Sequence, residues 1–185
     1  MLKARGRGRK AAKELLAELE IQLKAPVNLD MIINLLHRKK LFINVSYEDY
    51  SNEMAGVSAI LLKEKGKAMI AVNNKHPEVR QRFSIAHELG HLMMHGNNEH
   101  LNVEKSIQPR LFTRAEGVQG QNEREANEFA AELLMPEELV KKDYSKYIDK
   151  KEDNIISFLS NKYNVSEIAM QFRLNNLDLL EVDSL

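Results

Sequence analysis

Residues 84–95 read SIAHELGHLMMH, and they place His87, His91 and His95 at intervals of four with Glu88 directly after the first. On an α-helix, residues four apart lie one turn apart on the same face. Two imidazoles on one face suit Zn²⁺, which binds histidine nitrogen at ~2.0–2.1 Å. Glu88 points slightly aside, where a carboxylate reaches the water on the ion rather than the ion. Zinc lowers the pKa of such a water to about 7, so the carboxylate can take its proton and pass it to a leaving amine. His-Glu-x-x-His is therefore the pattern of a metal-dependent peptidase.

The third ligand needs a separate search. His95 is eight residues past His87, roughly 12 Å along a helix axis at about 1.5 Å per residue. One ion cannot be held by both while His91 also binds, so His95 reads as a cleft-lining residue or a polar end to the helix. A third histidine six residues after the second, with glycine midway, would need glycine at 94 and histidine at 97. The chain has Met94 and Asn97.

A later segment, NEREANEFAAELLMP (122–136), offers a carboxylate. Glu123 and Asn127 are four apart and share a face with Ala130, Ala131 and Leu134. The small alanines would let this helix approach another backbone closely. Two readings of Glu123 stand on spacing alone. It completes a His₂Glu site, with Asn127 accepting from the far nitrogen of a ligating histidine and the fourth position left for water. Or it is a surface glutamate on an amphipathic helix. Glu125 and Glu128 project elsewhere and read as solvated.

These residues need elements to position them. Phe83, Ile85, Ala86, Leu89, Leu92 and Met93 give the histidine helix enough apolar surface to be buried; Pro77 and Glu78 open it and Gly96 is its expected C-cap. Upstream, the apolar spacing predicts a helix over about Lys10–Lys24, ended by Pro26. Asn28 is an expected N-cap for a second helix, with Leu29, Ile32, Ile33, Leu35 and Leu36 on its apolar side. LFINVSY (41–47) is a strand, and GVSAILLKEKGKAMIAVN (56–73) is a β-hairpin around a polar turn with a glycine. Residues 97–120 show little periodicity, and a stretch of that kind inside a compact domain is usually functional or mobile. A helix returns at about Asn122–Met135, Pro136 starts a short one, and two amphipathic helices span about Asn154–Leu180.

Composition narrows the classes. The 27 basic and 27 acidic residues cancel, so no global field draws the chain to nucleic acid or membrane. The absence of cysteine excludes disulfides and thiolate metal sites and fits a reducing compartment. The start, MLKARGRGRK, is basic but no apolar run follows, so it is not a signal peptide, and no segment approaches transmembrane length. It reads as a solvated tail, or as an arm that touches an acidic partner or nucleic acid.

RQRFSIAHELGHLMMH (80–95) followed by EREANEFAAELLMPEE (123–138) resembles the ImmA/IrrE family of zincin-type metallopeptidases, as do PVNLDMIINLL (26–36) and the hairpin ending in IAVN (70–73). The resemblance covers about residues 25–140. It implies an α+β, zincin-like fold, a small mixed or antiparallel sheet packed on the active-site helix, with a small helical C-terminal unit. It implies zinc held by His87, His91 and Glu123, with Glu88 as general base, and Mn²⁺ is a second divalent ion these ligands accept. Relatives often carry Asp where Asn127 stands; asparagine still orients an imidazole but adds no negative charge. The implied organisation is a basic arm and helix (1–25), a peptidase domain (26–145) and a helical unit (146–185).

The resemblance also implies a role: cytoplasmic cleavage of one helix-turn-helix repressor, usually encoded beside the protease, which derepresses a mobile element or a stress response. Strand Ala68–Val72 would be the sheet edge that aligns the substrate, with 97–120 covering the cleft. The rival is a non-proteolytic regulator that binds a repressor or DNA through the same scaffold; an intact Glu88 argues against it. FLSNKYNVSEIAMQFRLNNLDLL (158–180) looks like a helix-turn-helix, with Ser166 capping the second helix and Met170 and Leu174 inward. It would offer Gln171, Arg173 and Asn175 to bases. The seven basic and five acidic residues of 141–174 are a weak footprint for DNA, and packing against the peptidase domain is the plainer reading. Tyr144, Tyr147, His76 and His95 are the candidates for stabilising an oxyanion.

Overall fold

Apolar, β-compatible runs between positions 42 and 73 build a three-stranded sheet in the computed structural model, which describes residues 6–50, 56–64, 66–95, 118–148 and 154–180. Strand β2 (Ala59–Glu64) pairs antiparallel with β3 (Lys67–Asn73), with Leu61 opposite Ile70. Gly66, at φ 73, supplies the positive φ that the tight connection between them requires. Strand β1 (Phe42–Glu48) pairs parallel with the other side of β3, with Val45 opposite Ile70. Ile43, Leu61, Ile70 and Val72 face the core and are almost fully buried.

The order β1-β3-β2 corrects one expectation: Ala68–Val72 lies in the middle of the sheet, and the edges are β1 and β2. Ala68, Ile70, Ala71 and Val72 are all buried. A strand covered on both faces and paired on both sides can be apolar almost throughout, and AMIAV is.

Helix α1 spans Arg7–Glu18 and α2 Leu29–Arg38. Asn28 caps α2 by accepting from Met31 N at 2.9 Å. Leu29, Ile32, Ile33 and Leu36 bury its inner face. Helix α1 starts and stops earlier than its apolar spacing predicts. Glu20 turns the chain at φ 50, and Ile21, Leu23 and Ala25 then pack against the core. Gly8 is buried and Arg9 only half-exposed, so positions 6–10 are not a solvated tail.

Helix α3 covers Glu78–Met94, with Pro77 at its N-cap and His95 at its C-cap. Gly96 and the unpatterned residues 97–117 lie outside the described residues. Helix α4 runs Val118–Leu134, opening earlier than expected, and α5 covers Glu137–Ile148. Helices α6 (Ile155–Tyr163) and α7 (Glu167–Asn176) follow. Ser166 caps α7 by accepting from Ala169 N at 3.2 Å, and Met170 and Leu174 are completely buried.

This last pair of helices is tied to the rest of the molecule. Arg173 donates to Met135 O at 2.9 Å and to Glu132, and Arg82 of α3 donates to Asn164 O at 3.3 Å and Val27 O at 2.9 Å. Tyr163 donates to Asp143 Oδ2 at 2.8 Å. Arg173 is 3% exposed, so it is not available to a base edge. The molecule is a mixed α+β fold in which a small sheet packs against helices. Among the described residues no helix is long and apolar enough to cross a membrane.

Candidate metal centre

Helix α3 carries His87 and His91 because its other face is apolar: Ile85, Ala86, Leu89 and Leu92 are buried in the core. Helix α4 then crosses it at close range. Gly90 has no side chain, and a Cβ there would lie 3.1 Å from Ala126 Cα and 3.2 Å from Phe129 Cβ. Ala126 and Ala130 are fully buried. Small residues on both helices bring the two backbones together, and Glu123 meets the histidines one turn along.

The three side chains converge. His87 Nε2 and His91 Nε2 are 3.0 Å apart. Glu123 Oε2 is 3.3 Å from the first nitrogen, and Glu123 Oε1 is 3.3 Å from the second. His87, His91 and Glu123 form a group able to hold a metal ion, with one ligand atom from each inside 4.8 Å of the others. Ligand atoms ~2.0–2.1 Å from one tetrahedral ion are separated by about 3.3 Å. The observed separations match that edge. His95 is outside the group, in agreement with the axial-rise argument.

Proton positions fit the same conclusion. Asn127 Oδ1 lies 3.0 Å from His87 Nδ1. An amide oxygen can only accept, so Nδ1 carries a hydrogen and Nε2 is the nitrogen turned to Glu123. Burial alone would raise the Glu123 carboxyl, but hydrogen bonds and charge from His87 and His91 outweigh it and hold it well below the usual carboxylate range. Two imidazole nitrogens and a carboxylate facing one point are satisfied either by shared protons or by a divalent cation such as Zn²⁺ or Mn²⁺. Glu88, next to His87, is 1% exposed.

Around this group the structure rearranges several sequence readings. Glu125 is completely buried rather than solvated. It accepts from Gln121 Nε2 at 2.9 Å and lies 3.5 Å from Arg7 Nη1 and 3.6 Å from His95 Nε2. Burial, then the neighbouring His91, keeps the pKa of His95 below its ordinary value. Glu128 is half-buried and accepts from Gly6 N at 3.0 Å. Their spacing carried the signal: Glu125 and Glu128 lie three residues apart on α4, and the GRGRK segment is their complementary partner, while Glu132, four residues further on, is taken by Arg173 of α7. Of the oxyanion candidates, Tyr144 donates to Leu179 O and Tyr147 is buried against the Phe158 ring, 4.6 Å between centroids.

Comparison with known proteins adds one match. Residues 38–175 fit the model of a peptidase family described as the IrrE N-terminal-like domain, which spans β1 to α7 and both helices that carry His87, His91 and Glu123. No curated protein matches the chain.

Proposed function

The chain belongs to the IrrE N-terminal-like domain family, whose model takes in most of its length, and from that premise we propose that it is a zinc-dependent endopeptidase that cuts one DNA-binding repressor. The observation that carries the reading is the convergence of His87, His91 and Glu123 from two helices. It supports His87, His91 and Glu123 as metal ligands, Glu88 as general base and Asn127 as the residue that orients His87.

Zinc held there would polarise the scissile carbonyl and acidify a water molecule. Glu88 accepts the proton of the attacking water on its carboxylate and returns it to the leaving nitrogen. Its burial keeps that proton from bulk solvent. Asn127 keeps the His87 hydrogen on Nδ1, which leaves Nε2 as the donor atom. Strand β2 packs on α3 and is an edge of the sheet, so it is the strand that can pair with an extended substrate segment. A repressor substrate implies an enzyme of the cytoplasm.

The test is to incubate the zinc-loaded protein with a helix-turn-helix protein encoded beside it and look for discrete fragments. Glu88→Gln should keep zinc and lose cleavage. Fragments persisting with that variant would sink the role of Glu88. Release of an intact repressor from its operator would instead favour the non-proteolytic scaffold.

A further inference from the structure

Helix α1 precedes the family-matched region and begins without a cap of its own: Gly6 stands at its N-cap with φ 98, and no local side chain accepts from the first turn. The orphan N–H groups of a helix start need partners. They find one on α4. Glu128 Oε2 accepts from Gly6 N at 3.0 Å, and the Gly8 N–H faces the same carboxylate. Gly8 itself presses on the helix: a Cβ there would lie 1.9 Å from the Glu125 carbonyl oxygen and 2.9 Å from Glu128 Cβ. Only glycine fits. Arg7 reaches the buried Glu125 carboxylate, whose same oxygen faces His95, and the His95 ring lies 5.5 Å from that of His91.

The joint therefore holds the turn of α4 that carries Glu123. On one side α3 packs against Ala126 and Phe129 through Gly90; on the other, α1 closes over Glu125 and Glu128 through Gly8. Without α1, two carboxylates of that turn lose protein partners and must reach for water. Glu123, two residues from Glu125, moves with them.

We propose that Arg7 and Glu128 are positioning residues of the metal centre, and that the α1–α4 joint they form with Gly8 sets the placement of Glu123 against His87 and His91. The inference rests on the metal reading above. It makes α1 a determinant of metal affinity from outside both metal-binding segments.

The experiment is competition for zinc between the full chain and a chromophoric chelator, with thermal unfolding measured in parallel. Glu128→Ala should weaken zinc binding about tenfold, the lower end of what loss of supporting contacts costs a metal site. Glu128→Gln, whose amide oxygen still accepts from Gly6, should restore most of the affinity. Arg7→Ala, at a largely exposed side chain that cannot unfold the protein, should weaken binding by a smaller factor, and Arg7→Lys should recover it. Lys13→Ala, which removes the 2.6 Å ion pair between α1 and Glu137, should lower stability and leave zinc affinity unchanged. Wild-type affinity in Glu128→Ala or Arg7→Ala overturns the inference alone, as does an equal loss in Lys13→Ala. A wild-type chain that takes no zinc overturns the metal reading and the inference together.

Discussion

Gly90 and Ala126 set the distance between the helices that carry His87, His91 and Glu123: a Cβ on Gly90 would sit 3.1 Å from Ala126 Cα and 3.2 Å from its carbonyl oxygen. Both neighbours are backbone atoms and cannot swing away. In Gly90→Ala, better helix propensity contributes about 1 kcal/mol, while overpacking costs about 1–3 kcal/mol. The balance is a net loss on the order of 1 kcal/mol, read as a modest drop in Tm. Zinc affinity should suffer more, about tenfold, because Glu123 is carried off by a few tenths of an ångström. Unchanged zinc affinity would show that this spacing does not govern the centre.

Asn127 fixes the orientation of His87 with a neutral oxygen 3.0 Å from Nδ1. Asn127→Ala removes that acceptor, and loss of such a contact costs a metal site about 10–100-fold in affinity. Asn127→Asp keeps the geometry and adds negative charge, which makes Nε2 a stronger donor. Zinc competition should therefore rank Asp above Asn above Ala. Equal affinities for Asn and Ala would remove Asn127 from the site.

The histidine helix was legible because its information is local: four-residue spacing and the absence of proline suffice to put His87 and His91 on one face. Asn28 and Ser166 were legible as caps for the same reason. Three features were not, because each is decided by a distant partner. The central place of β3 depends on β1 joining it in parallel across the hairpin. The burial of Glu125 and Glu128 depends on α1, a segment more than a hundred residues earlier that reads alone as a basic tail. Arg173 sits where a recognition helix would display it, but Glu132 and Met135 O draw it inward.

Glu137 gives a pH dependence that can be isolated. Hydrogen bonds from Lys13 and then Lys141 hold its carboxyl at about 2, below its ordinary 4.5. A depressed folded-state pKa contributes stability that is present above about pH 4.5 and is lost as pH falls through about 2. Both lysines are nearly half exposed, so solvent screening limits the pair to about 0.2–1 kcal/mol. Wild type should exceed Lys13→Ala by that amount near neutral pH, and the gap should close between pH 4.5 and 2. A gap that stays constant into acid, measured by urea unfolding, would mean that the pair contributes nothing through charge.

The Arg173–Glu132 pair joins α7 to α4 with both side chains 2% exposed. Removing one member of a buried ion pair strands the other, at a cost of about 3–5 kcal/mol. Arg173→Met should cost about that much, since it also takes the hydrogen bond from Met135 O. Adding Glu132→Leu removes the stranded charge and should recover part of the loss. Recovery stays incomplete because Glu137 N then loses Glu132 Oε1, its acceptor at 3.1 Å. Urea unfolding of the two single variants and the double measures the coupling directly. A residue committed to this staple is not free to read DNA. A salt-dependent DNA affinity that fell on Arg173→Met, with the fold intact, would contradict the staple and restore the helix-turn-helix reading.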